Sequence, residues 1–253
     1  LLVLSWKLRR RTFVAFLGSA PGLSAAPRPL LILVSANAEW REVRKLFPRE
    51  RYQSGPYGEF FRTRLHSQDT VVAHGGWGKI SAAASTEWAI REFQPRLVLN
   101  FGTCGGIRGR IPRFGTVVAT RTVSYDILEQ MGDPAAALRH YSTELDTSWA
   151  NALPQLVRAP MLSADRDLVV SDIPNLIAQY DAVAVDWESA SIAWVAARHR
   201  CPTAILRGVS DLVGPSGGDA YGNESHFTEG TAIVMKNLFD GLPQWLPGLL
   251  RLR

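Results

Sequence analysis

Four short segments of this sequence carry side chains that could do chemistry. Val185-Asp186-Trp187-Glu188-Ser189-Ala190 sets two carboxylates beside a tryptophan. A carboxylate can accept two hydrogen bonds at once, which suits the vicinal hydroxyls of a sugar, and Trp187 could cover the sugar's flat face. A helix N-terminus also favours acidic residues through its dipole, which accounts for one of these carboxylates better than for both. Arg207-Gly208-Val209-Ser210-Asp211 ends in an aspartate that could give a proton to a leaving base, or could cap a local turn. Asn100-Phe101-Gly102-Thr103-Cys104-Gly105-Gly106 could turn backbone N–H groups, with the Thr103 hydroxyl, toward a small ligand or a water. Gly75-Gly76-Trp77-Gly78-Lys79 permits a tight turn and close backbone approach. It lacks the GxxxxGK[ST] spacing of a phosphate-binding loop, and the 100–106 segment is not the GxGxxG dinucleotide fingerprint.

These segments need elements to hold them. Residues 30–35 (LLILVS) form a continuous apolar run, as expected of a strand buried on both faces. Residues 39–47 read as a helix closed by Pro48, 60–66 and 70–74 as two short strands in hairpin order, and 79–93 as an alanine-faced helix ended by Pro95. Strands are expected at 97–101, 116–123, 182–185 and 203–206, with a helix at 188–198. The polar stretch 131–154 reads as surface loop and helix, and 226–250 as a closing helix broken near Pro243. Alternation of strand and helix predicts one α/β domain with a central mixed or mostly parallel sheet flanked by helices. Ligands of such sheets bind beyond the carboxyl ends of the strands, where Glu39, the two glycine-rich segments, Glu188 and Asp211 are expected.

Taken in order, the segments resemble the nucleoside phosphorylase/nucleosidase superfamily, and within it the 5′-methylthioadenosine/S-adenosylhomocysteine nucleosidases. The resemblance runs from about residue 30 to about 242. The family's first strand ends in a small-residue turn with a catalytic glutamate, matched by Ser35-Ala36-Asn37-Ala38-Glu39. Its SGxGK, NxGSAGG, VEMEA and RxxSD segments are matched at 75–79, 100–106, 185–190 and 207–211. The resemblance implies a nucleoside phosphorylase-like fold and hydrolysis of a purine nucleoside's N-glycosidic bond. Asp211 would protonate the purine, at N7, and Glu39 would activate the attacking water. Glu188 would bind the ribose 2′- and 3′-hydroxyls and Trp187 would pack under the sugar, where the family usually has methionine. Thr103, Gly105 and Ser210 are also assigned to substrate binding. Two carboxyl groups, one helping the leaving group and one aiming the nucleophile, are what an oxocarbenium-like centre requires. Glu42 competes with Glu39 for the role of base, and Glu39 is taken because it lies closer to the strand end. No metal and no cofactor are expected.

The sequence departs from the family pattern at two places. The purine-stacking phenylalanine falls near 164–168, which reads Ala-Asp-Arg-Asp-Leu, so the choice of base stays open. The glycine-rich segment 212–222 is also unlike the family. A phosphorylase is the nearest alternative, but phosphorylases of this superfamily commonly carry an arginine where Asn100 stands, and asparagine lacks the guanidinium fork suited to phosphate. A non-catalytic nucleoside-binding protein is the rival of another class, disfavoured by the joint presence of Glu39, Glu188 and Asp211. The 5′ substituent, methylthio, homocysteinyl or a larger group such as the futalosine side chain, is not specified. The resemblance implies a homodimer, with exposed aromatics such as Tyr141 and Trp149 as candidate contacts.

Bulk properties agree with a small-molecule enzyme. The 253 residues are 46% hydrophobic and 20% charged, ordinary for one globular domain. The net charge of +5 is concentrated before Glu39, where Lys7, Arg9, Arg10, Arg11 and Arg28 occur without an acidic residue. The remainder is near neutral, so neither nucleic acid nor membrane is expected as a partner. The 2 cysteines, Cys104 and Cys201, exclude a disulfide scaffold and suggest a reduced, cytoplasmic setting. Residues 1–29 read as an extension separate from the domain at 30–253. They are acid-free and arginine-rich like an organelle transit peptide, faintly like a signal peptide ending near Ala25, or a start-site artefact. With no periodic face to bury, they are expected to be dispensable for folding, which the melting temperature of a shortened chain checks.

Overall fold

A computed structural model of the chain describes residues 28–253, so the expectations for residues 1–27 lie outside the described residues. Arg28 and Pro29 are docked on the domain. Arg28 donates to the carbonyl oxygens of Gln94 and Pro95 at 2.9 and 2.7 Å, and Arg96 N donates to the Pro29 carbonyl at 3.0 Å.

The chain runs β1 (Leu30–Val34), α1 (Asn37–Leu46), β2 (Gln53–Ser54), β3 (Glu59–Leu65), β4 (Gln68–His74), α2 (Gly78–Phe93), β5 (Leu97–Ile107) and β6 (Thr116–Ser124). It continues through α3 (Pro134–His140), β7 (Ser142–Glu144), β8 (Leu156–Ser163), α4 (Ile173–Tyr180), β9 (Ala184–Asp186), α5 (Ser189–Arg198), β10 (Thr203–Gly214), β11 (Gly217–Gly218) and α6 (Glu224–Leu249). The sheet is mixed. Strand β5 is long enough to serve three neighbours: its first half pairs with β1, its second with β9, and β10 runs parallel along the other edge. Because β10 also pairs with β6, β6 with β8, and β8 with β9, these five strands close into a ring, and β1, β4, β3 and β2 extend from it as an open sheet.

Strand β1 shows why the sheet is covered on both sides. Leu31 and Leu33 enter one core with Ala82 and Ala89 of α2 and Ile192 and Ala196 of α5. Leu30, Ile32 and Val34 point the other way, into a core with Trp40 of α1 and Val234, Met235 and Leu238 of α6. The period of two along a strand makes that split automatic, and burying each such side chain contributes roughly 1.5–3 kcal/mol.

Four expectations are corrected. The 100–106 segment is not a turn after a strand but the second half of β5, and Arg207–Asp211 lies inside β10 rather than at its end. The glycines there answer to crowding: a Cβ on Gly102 would overlap the Arg207 guanidinium and the Glu39 carboxylate, and one on Gly208 would meet Val234. Helix α6 runs unbroken through Pro243 and Pro247, held by a buried face that includes Leu238, Leu242, Trp245 and Leu249. Strand β8 and helix α4 were unforeseen. Arg158 and Pro160 interrupt the apolar run of β8, yet Pro160 falls where the β6–β8 register shifts, so its missing N–H breaks no regular ladder. Trp149, expected at the surface, packs against the α6-side core and the backbone of Gly248. Among the described residues no helix is long and apolar enough to cross a membrane.

Candidate active site

The chemistry-bearing segments converge on one cavity of about 940 Å³. Glu39, Thr103, Gly105, Trp187, Glu188, Ser210 and Asp211 all reach its wall, so every residue singled out for catalysis or binding is brought together there. Glu42 is not among the lining residues; it is buried on α1 and its carboxylate accepts from Lys45 Nζ at 2.6 Å.

Glu39 enters from the first turn of α1. Its Oε2 accepts from the backbone N–H groups of Ser35 and Ala36 at 3.3 and 3.0 Å. Its Oε1 accepts from Thr103 N at 2.6 Å and Thr103 Oγ1 at 2.8 Å. Three of these donors are fixed backbone; the Thr103 hydroxyl is the one that can rotate away.

Arg207 organises the floor. It is fully buried and faces three carboxylates, Asp186 at 2.9 Å, Glu188 at 3.2 Å and Glu39 at 3.6 Å. Burial works against its charge, but the carboxylates outweigh burial and raise its pKa above the ordinary value. Removing Arg207 would strand buried carboxylates, at a cost of about 3–5 kcal/mol. Asp186 is tied down further by the hydroxyls of Ser163 and Ser189, which makes it a structural carboxylate. Glu188 differs. It stands just before α5, and its Oε1 accepts from Gly78 N at 3.1 Å. That N–H is delivered by the 75–79 turn, in which Gly76 and Gly78 take φ of 76° and 83°, conformations costly for residues with a Cβ. Burial pushes the Glu188 pKa up to about 8; the Arg207 charge pulls the other way, and Asp186 and Glu39 push with burial.

Asp211 is positioned by a bulge. The β5–β10 register slips between Val209 and Asp211, which turns the Asp211 side chain into the cavity. Its Oδ1 accepts from Ser210 Oγ at 2.6 Å. Burial raises its pKa, with the Ser210 hydrogen bond opposing. A carboxyl in that state is suited to hold a proton and give it up. Ser210 reaches the cavity wall, but its hydroxyl is committed to Asp211.

Several lining residues carried no assigned role in the sequence. Trp77, 61% exposed, packs against Trp187 with ring centroids 4.9 Å apart and the planes tilted by 36°. Tyr221, from the glycine-rich segment after Asp211, and Phe227, from α6, form an aromatic wall of the cavity. Charge on the wall is one-sided: Glu39, Asp167, Asp186, Glu188, Asp211 and Glu224 line it, and among the described residues no Lys, Arg or His does. Asn100 lies below the site, its Nδ2 donating to the Leu33 carbonyl at 3.0 Å. No cluster of His, Cys, Asp and Glu among the described residues is placed to hold a metal ion.

Comparison with known proteins identifies the family and the fold. The model of the phosphorylase superfamily matches residues 30–239. Similar curated proteins include the 5′-methylthioadenosine/S-adenosylhomocysteine nucleosidases of Marinomonas sp. (strain MWYL1), 26% identical over 62% of this chain and 74% of theirs, and of Tolumonas auensis, 27% identical over 71% and 81%. In fold, the chain is similar to the Helicobacter pylori nucleosidase of the same name bound to butyl-thio-DADMe-Immucillin-A, with TM-score 0.72, 20% identity, and 87% and 99% of the two chains covered. It is likewise similar to futalosine hydrolase of Helicobacter pylori, with TM-score 0.69, 20% identity and 88% and 97% covered.

Proposed function

The chain belongs to the phosphorylase superfamily, and from that premise we propose that it hydrolyses the N-glycosidic bond of a purine nucleoside of the 5′-methylthioadenosine or S-adenosylhomocysteine type. The observation that carries the reading is the convergence of Glu39, Glu188 and Asp211 on one cavity wall that no Lys, Arg or His among the described residues lines. A carboxylate about 4 Å from a unit cation gains about 4 kcal/mol at an effective dielectric of about 20, and loses as much against an anion. The wall therefore favours an oxocarbenium-like centre and disfavours phosphate as the nucleophile. Arg207, the guanidinium under the floor, is already engaged by three carboxylates.

In this mechanism Asp211 donates its proton to N7 of the base, so the base leaves neutral. Glu188 accepts from the ribose 2′- and 3′-hydroxyls, and Trp187 covers the sugar. The Thr103 hydroxyl swings off Glu39, and a water takes its place on Oε1. Glu39 then receives the water's proton as the oxygen bonds to the anomeric carbon. Arg207 is a positioning residue that holds Glu39 and Glu188 in register. The test is release of free base from a panel of nucleosides differing in base and 5′ substituent. Adenine release from 5′-methylthioadenosine or S-adenosylhomocysteine is expected, and a panel in which no nucleoside loses its base overturns the reading.

A homodimer completes the proposal. Trp77 at 61%, Ile80 at 85%, Leu128 at 79% and Met131 at 98% exposure are large apolar side chains that would be costly to leave in water. Trp77 is at the cavity edge, and Lys79 beside it bonds Asp126, two residues before Leu128. A second copy seated on this rim would close the 5′ end of the site. Tyr141 lies apart, stacked on Trp194 at 5.8 Å. Light scattering at micromolar concentration is expected to give twice the chain mass; a fully active monomer contradicts the assignment.

A further inference from the structure

We infer that Asp167 selects the base, admitting purines that carry an N–H donor on the six-membered ring and rejecting those that present only acceptors there. The inference rests on the proposed reading of the cavity as a nucleoside site. Asp167 stands in the 164–168 segment, which lacks the stacking aromatic of the family. Its neighbours are occupied by the protein. Asp165 Oδ1 accepts from Lys79 N at 2.8 Å, and Arg166 pairs with Asp172 at 2.6 Å while lying over the Tyr125 ring. Asp167 is different: though exposed to solvent, it lines the cavity, and among the described residues its carboxylate takes no hydrogen bond and no ion pair from the protein.

Its place in the cavity is the end that holds Asp211. The next residue, Leu168, lends its carbonyl to the Tyr221 hydroxyl at 2.8 Å, so the Tyr221 ring is anchored beside Asp167. The phenol registers both neighbours. Burial first, then the nearness of Asp167 and Asp211, pushes its pKa up to about 12. Tyr221, Phe227 and Leu168 supply flat or apolar surface for a ring, Asp211 addresses N7, and Asp167 and Glu224 add acceptors. An ionised carboxylate accepts and cannot donate. Against an exocyclic amino group or a ring N1–H it forms a charge-assisted hydrogen bond. Against a bare ring nitrogen it sets lone pair against lone pair and gives up its water for nothing. Hydrogen bonds to charged groups carry enough net energy for about 10–100-fold discrimination.

The experiment is calorimetric binding of adenine, guanine and unsubstituted purine to the wild-type chain, Asp167→Asn and Asp167→Leu, with melting curves to confirm folding. Wild type is expected to bind adenine or guanine about 10–100-fold more tightly than purine. Asp167→Leu should lose that preference while keeping the affinity for purine, and Asp167→Asn, which retains one acceptor oxygen, should fall between. Equal loss of all three bases in Asp167→Leu, undiminished preference in it, or a wild type that binds none or does not discriminate, overturns the inference. Free-base binding needs no bond cleavage. A chain that discriminates as expected but releases no base from any nucleoside sinks the hydrolase reading alone.

Discussion

Asp211→Asn is expected to lower the rate of base release by about 10²–10⁴, the range typical of a general acid, while substrate binding weakens far less. The asparagine amide fills the same volume, and its N–H still reaches the purine nitrogen, so the ground-state contact survives and only the transferable proton is lost. Folding is little threatened, because Ser210 Oγ can donate to the amide oxygen as it does to the carboxylate. The pH profile carries a second signature. Burial holds the Asp211 pKa above the ordinary carboxyl value, and the active form is protonated. The limb set by Asp211 therefore falls as pH rises through the raised pKa. Glu188, with its pKa pushed up to about 8, ionises as pH rises and so gains capacity to accept from the sugar hydroxyls, an effect on binding that runs the opposite way. The limb on kcat should persist in Glu188→Gln, which raises KM, and disappear in Asp211→Asn. A folded Asp211→Asn with the wild-type rate on a confirmed substrate contradicts the assignment.

Glu39→Gln is expected to cost a similar factor of about 10²–10⁴, whereas Glu42→Gln is nearly silent in turnover. The two glutamates are three residues apart on α1, yet only Glu39 reaches the cavity; Glu42 serves Lys45. The Glu39→Gln amide would also turn an NH₂ group toward N–H donors, those of Ser35 and Ala36 or that of Thr103. That mismatch costs about 1–3 kcal/mol of stability, so the rate is to be read on the fraction still folded. A dead Glu42→Gln beside an active Glu39→Gln would move the base one turn along the helix.

The parts of this molecule that were legible in its sequence are those whose signal is local. The β1 run, the alanine face of α2 and the order of the glycine- and carboxylate-bearing segments are all properties of neighbouring residues. They sufficed to gather Glu39, Thr103, Glu188 and Asp211 at one site. What was misread depends on distant partners. Gly102 and Gly208 look like turn residues, but they sit in strands because the Arg207 guanidinium and Val234 press against them from other elements. Arg207 stood in a recognised segment, but its three carboxylate partners come from α1, β9 and the start of α5. The aromatic wall of Tyr221 and Phe227 could not be placed from a glycine-rich segment without a periodic pattern. Pro243 argued for a break that the buried face of α6 overrides, and Trp149 is drawn inward by the same helix.

The most direct test of the account is product analysis at rising phosphate concentration. With a nucleoside that loses its base, the sugar product is to be identified while inorganic phosphate is raised from none to well above physiological levels. A wall lined by acidic groups, and by no Lys, Arg or His among the described residues, predicts a rate that does not depend on phosphate, with free sugar as the product throughout. Strict phosphate dependence with a sugar 1-phosphate as the product contradicts it.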